Sequence, residues 1–230
     1  MATAPASKGA PEGRDVHERG IWRAAFVLYD LALLAVPLAL GGALVLAAVV
    51  LSQGTLLGLL LVPAEAWLIG SLVVAALHAV HDQDLTTDIR PVRRLLAGLR
   101  QGHRQAAVLW IPVGLMAAGL IGGGMIGGGA GPDLAGLVLL LAVALIALLG
   151  SVIAGRFTVS GIGLWRAALG AVAVSPRGVL GVGLTLLAAV LTVAVLGEWV
   201  LLLVAAPLVL LLDRSARPLV LALEESLDDR

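Results

Sequence analysis

Cysteine is absent from all 230 residues. That absence excludes disulfides, thiolate metal sites, iron–sulfur clusters and a cysteine nucleophile. Charge is scarce at 13% of residues, and fifteen basic and fifteen acidic side chains cancel. Neither the basic field that nucleic acid needs nor an acidic field for metal cations is present. Lysine occurs once, as Lys8, and no Ser/His/Asp arrangement points to a hydrolase. What the chain has in abundance is apolar: 60% hydrophobic residues and a mean hydropathy of +1.05. A water-soluble domain of this size leaves too much surface exposed to hide that composition. The chain therefore reads as a polytopic membrane protein, with no enzyme chemistry and no cofactor implied.

Residues 1–20 are Ala, Pro, Ser, Gly and charge, too poor in apolar groups to offset ordering entropy, and read as a disordered cytoplasmic tail. The apolar stretch 24–51 is too long for the hydrophobic region of a signal peptide, so it reads as a first span that stays attached. A hydrocarbon core needs about 20 apolar residues per helix. Residues 56–80, 106–125, 134–153, 179–196 and 199–212 supply five more. The expected fold is all-α: a bundle of six transmembrane helices over residues 21–214, with short interfacial cytoplasmic helices and a cytoplasmic tail over 215–230.

Basic residues collect in cytoplasmic loops and avoid exported ones. Lys8, Arg14, Arg19 and Arg23 precede the first span. Arg90, Arg93, Arg94, Arg100 and Arg104 lie in the second connection, Arg156, Arg166 and Arg177 in the fourth, and Arg214, Arg217 and Arg230 at the end. Six spans put all fifteen on one side, and the connections near Gln53, Pro132 and Gly197 carry none. An odd number of spans breaks that partition. Both termini are therefore expected in the cytoplasm.

Two of the basic connections have a greasy face. Residues 161–177 combine Leu164, Trp165, Ala168 and Leu169 with Arg166 and Arg177, as a short helix at headgroup level anchored by Trp165 would. Residues 88–105 place Val92, Leu95, Leu96 and Leu99 at helical spacing, with Arg93, Arg94, Arg100 and Arg104 on other faces. Anionic lipid and a partner protein are both open as the ligand of this basic layer, in which Arg90, Arg93, Arg94, Arg100, Arg104, Trp165 and Arg166 are the candidate docking residues.

Asp30 and Glu65 are the acidic residues well inside the apolar spans. A carboxylate at the bilayer centre costs about 2.5–3.5 kcal/mol even on insertion scales, so such groups face the bundle interior, a partner or a watery cavity. One reading makes them a substrate or proton site. The other pairs a neutral Glu65 with a neighbouring helix and Asp30 with an arginine such as Arg23 or Arg166. His78, His81 and Asp82 share a helical face at a spacing that suits a divalent metal. A polar helix end produces the same pattern, and no metal is assigned. The tract GLIGGGMIGGGAG over 119–131 contains Gly119/Gly123 and Gly123/Gly127 pairs of the kind that let helices approach closely. Pro37, Pro63, Pro112 and Pro207 lie inside spans and invite kinks.

Val62-Pro63-Ala64 followed by Ala76-Leu77, the basic connection from Arg90 to Arg104, then Trp165-Arg166-Ala167-Ala168-Leu169 and Ser175-Pro176 resemble the YesL-like family of bacterial membrane proteins. The resemblance covers most of the chain after Arg19. It implies a multi-pass protein of the bacterial plasma membrane, associated with a carbohydrate (ABC-type) transport system as an accessory or assembly component, with transporter subunits as partners and no catalytic residues. The alternative, from the residues themselves, is a small proton-coupled carrier or substrate-capturing subunit with Glu65 in its pocket.

Six spans have a direct consequence for reporter fusions. Fusions after Gln53, Pro132 and Gly197 are expected to report export, and fusions after His103 and Arg177 cytoplasm. One reversed reporter breaks the topology.

Overall fold

The computed structural model describes residues 55–85, 91–126, 133–157, 159 and 161–228, with isolated positions 35, 39, 42 and 43. The described chain is all-helical: α1 (Leu56–Leu85), α2 (Pro91–Ile126), α3 (Leu134–Arg156), α4 (Ile162–Val174), α5 (Pro176–Leu196) and α6 (Glu198–Asp228). Among the described residues, four helices are long and apolar enough to cross a membrane, over Leu57–His81, Arg93–Gly124, Leu134–Arg156 and Pro176–Leu196. Helix α4 is apolar but only 13 residues long. The tail over 1–20, Asp30 and Arg90 lie outside the described residues. Of the first apolar stretch, Ala35, Ala39, Gly42 and Ala43 are described; they are helical, and Ala35 packs against the core.

Local chemistry sets the helix boundaries. Thr55 Oγ1 accepts from the Gly58 N–H at 3.0 Å to start α1. Asp133 caps α3 by accepting from Gly136 at 2.9 Å. Ser175 caps α5 through the Gly178 N–H, with Pro176 at the first helical position, where a missing N–H costs nothing. Gly197, at φ +87°, makes the left-handed break that separates α5 from α6.

Neighbouring spans run antiparallel and approach through glycine. Along α1 and α2 the pairs are Leu59 with Gly122, Pro63 with Gly114, the Trp110 ring with Gly70, and Val74 with Gly102. Gly150 on α3 receives Leu109 of α2, and Gly178 and Gly181 on α5 receive Leu219 and Ser215 of α6. In a bilayer the lipid tails are as apolar as leucine, so helices associate by such close backbone contact rather than by hydrophobic drive. Gly119 and Gly123 take no part. Among the described residues nothing lies within 4 Å of a Cβ at either, and the close approaches seen fall instead at Gly70, Gly102, Gly114 and Gly122.

The core sits at one end of the bundle. Val74–Leu77, Ala106, Leu109, Leu149, Val152, Leu164, Ala168, Val182, Ala216 and Leu219 are buried where α1, α3 and α6 finish and α2 and α5 begin. Toward the other end Leu60, Leu134, Val138, Val195 and Leu203 are exposed, as lipid-facing side chains are.

The reading of residues 88–105 as a separate surface-lying helix is corrected. From Pro91 onward they belong to α2, continuous with the span that follows. Arg, Gln, Ala and Leu from Arg100 to Leu109 propagate a helix, and Gly102, the one weak helix former among them, is held in it by packing against Val74 of α1. The apolar face also finds protein rather than lipid: Leu95 is buried, and Gly98 lies against Ala75 and His78 of α1.

Gly114→Ala would drive a methyl to 2.5 Å from the Pro63 Cα, a backbone atom that cannot move aside. It is expected to destabilise the protein by about 1–3 kcal/mol. Gly119→Ala is expected to stay within about 0.5 kcal/mol of wild type, as surface changes do. Unfolding of the two variants in detergent micelles measures the difference.

Candidate functional site

The antiparallel register brings the described arginines to one end of the bundle. Arg104 of α2, Arg156 at the end of α3, Arg166 of α4, Arg177 in the first turn of α5, and Arg214 and Arg217 of α6 fall in a band about 10 Å deep by helical rise. All but Arg156 are exposed. On each helix the exposed arginine ends an exposed apolar stripe on the same face. Arg104 continues Val108 and Leu115; Arg177 continues Leu180 and Leu184; Arg214 continues Leu203 and Leu211; Arg166 adjoins Ile162 and Leu169. From the band to the far helix ends, α3 and α5 extend about 30 Å, the thickness of a hydrocarbon core.

Beyond the band, α2 continues for about 20 Å toward its first residue. There Arg93, Arg100 and Arg104 share one exposed face at spacings of seven and four, while Leu95, Gly98 and Gly102 on the opposite face are buried against α1. Arg94 lies half-buried beside this ridge. Helix α6 also projects through residues 215–228, presenting exposed Glu224 and Glu225.

The deepest charge lies inside the band. Asp213, 2% exposed, is ion-paired with Arg156, which joins α6 to the end of α3. Arg217, one turn on, approaches the second carboxylate oxygen at 3.8 Å from an exposed position. Around this pair the end of α3 is tied to the other helices by polar contacts. His78 Nδ1 of α1 lies 3.3 Å from the Gly155 carbonyl, and Gln105 Nε2 of α2 donates to the Val159 carbonyl at 2.8 Å. Carbonyls in the last turn of a helix have no donor within it, so His78 meets a group that α3 leaves open, while Gln105 holds the segment just after the helix.

Three tryptophans fasten α2 to its neighbours. Trp67 of α1 donates to the His103 carbonyl at 2.9 Å, and Trp110 donates to Ser151 Oγ of α3 at 3.0 Å. Trp165 of α4 donates to the Val108 carbonyl at 3.0 Å. The helical donor for that carbonyl would be residue 112, which is proline and has no N–H. Trp165 therefore replaces the hydrogen bond that Pro112 removes, and docks α4 at the proline while it does so.

Glu65 lies apart from all of this, on α1 and two residues after Pro63. It is 9% exposed, and its Oε1 is enclosed with no hydrogen-bond partner among the described residues. The candidate residues thus separate into a basic surface, with Arg93, Arg94, Arg100, Arg104, Trp165 and Arg166 at or beyond the band, and one enclosed carboxylate far from it. His78, a candidate metal ligand by spacing, faces the Gly155 carbonyl, and Asp82 lies where side chains are not described. Asp213 is the residue that pattern reading passes over. It sits one position beyond an apolar run and four before Arg217, which marks it as an end charge. Its partner is 57 positions away in sequence.

Removing one member of a buried ion pair strands the other. Arg156→Leu is expected to cost about 3–5 kcal/mol, whereas Arg156→Leu with Asp213→Leu recovers most of that loss. Thermal unfolding of the single and double variants in micelles decides, and equal damage from both would mean that the pair is not what holds α3 to α6.

No protein-family model, curated protein or solved structure matches this chain.

Proposed function

We propose that the chain is a six-span protein of the bacterial plasma membrane, with both termini cytoplasmic, that acts without catalysis as an accessory or assembly component of a transport system. The carrying observation is the α2 overhang. A membrane helix that continues about 20 Å past its lipid boundary, braced by α1 on its apolar face, holds Arg93, Arg100 and Arg104 in a fixed row. Headgroups add only about 5–8 Å outside the hydrocarbon, so lipid accounts for the arginines near the boundary but not for Arg93. A row of arginines held that far into water suits acidic surface on a protein. The resemblance to YesL-like proteins makes subunits of a carbohydrate ABC-type transporter the proposed partners.

A second reading, a small carrier or substrate-capturing subunit, is favoured by Glu65, whose enclosure without a partner is costly unless used. The two readings separate by mutation. Changing Arg93, Arg94 and Arg100 to Glu together is expected to abolish copurification of transporter subunits from native membranes, while Glu65→Gln leaves it unchanged. Uptake that survives the triple reversal but disappears with Glu65→Gln would replace the first reading by the second.

A further inference from the structure

We propose that Glu65 is a cation site within the membrane, filled by a proton or, in its place, by a small monovalent metal ion. Nine-tenths of the side chain is buried and Oε1 meets no donor among the described residues. A carboxylate so placed needs a positive charge beside it. The next basic group along α1 is His78, thirteen residues and about 20 Å farther on. Between Arg23 and His78 the sequence contains no Lys, Arg or His.

The helices packed around α1 supply none either. Helix α2 has no titratable side chain after Arg104, and α3 has none between Asp133 and Arg156. Helix α5 has none after Arg177, and α6 has none between Glu198 and Asp213. The acidic groups nearest the far face, Asp133 and Glu198, have the wrong sign, as does Asp30 in the first apolar stretch. By the α1–α2 register Glu65 is level with Gly114, so Arg104 and His103, the nearest basic groups on α2, lie about 13–17 Å along the helix from it, and Arg156 is already committed to Asp213. The compensating charge at Glu65 therefore comes from solution.

This deepens the carrier reading by naming the ion class, and it rests on α1 lying in the bilayer. Uptake is no part of the test, so the cation site and the carrier reading fail separately. Full-length protein in lipid nanodiscs is compared with Glu65→Gln by infrared difference spectroscopy in a choline buffer free of metal cations. The expected result is the carbonyl stretch of a protonated carboxylic acid, lost in Glu65→Gln. Sodium or lithium is then added. Conversion of that band to carboxylate bands makes the site one that exchanges its proton for metal; persistence of the band makes it a proton site alone. Carboxylate bands for Glu65 in choline buffer would overturn the proposal. Should Glu65→Gln fail to fold, dicyclohexylcarbodiimide, which attacks protonated carboxyls in apolar surroundings, is applied to wild type and mapped by mass spectrometry. An adduct at Glu65 that choline does not suppress supports the site, and unmodified Glu65 overturns it.

Discussion

Hydrocarbon does not tolerate bare charge, and nearly every feature of this molecule follows from that. The described arginines sit toward an end of the bundle, where water or a headgroup is within reach, and toward the same end on every helix that carries them, as the one-sided bias of basic residues in membrane proteins predicts. The helix that carries an acidic residue back toward the core, α6, does so where Arg156 can meet it. The buried pair is costly to assemble and more costly to break, so it fixes the spacing of α3 and α6 at the one level where the bundle is also best packed. Beyond this level the helices α2 and α6 continue without a break, α6 passing through Pro218 and α2 through Gly98 and Gly102.

Backbone polarity follows the same logic. A spanning helix satisfies its own N–H and C=O groups except at its ends and at proline. Here those exceptions are met by side chains from other helices. An indole replaces the donor that Pro112 lacks, a histidine serves the end of α3, and a glutamine serves the segment that follows it. These contacts are few, but they lie at the basic end and link α1, α2, α3 and α4. Glycine has the complementary role of letting backbones and rings lie against each other, with Trp110 flat on Gly70 as the tightest case.

Much of this is legible in the sequence. Apolar length marks the four spanning helices, and Ser175-Pro176 and Asp133 mark the helix starts by their capping chemistry. The short helix at 162–174 follows from the alternation of greasy and basic residues. Other features are not legible, for physical reasons. A fall in hydropathy before Ala106 looks like a loop, yet helix propagation depends on backbone and propensity rather than on hydropathy. Glycine spacing alone does not say which face meets a neighbour, so Gly119 and Gly123 satisfy the spacing and meet no neighbour among the described residues. The partner of Asp213 is set by tertiary register. The isolation of Glu65 needs the positions of all the helices around it.

The glycine contacts between α1 and α2 have a mechanical consequence. Because backbone and ring atoms interlock from Leu59 and Gly122 at one end to Ala75 and Gly98 at the other, the two helices form a single stiff beam, with Pro63 and Pro112 as its points of compliance. The arginine row lies at one end of that beam and Glu65 toward the other, with the arginine band between them, so the two candidate features belong to one packed helix pair rather than to separately placed elements.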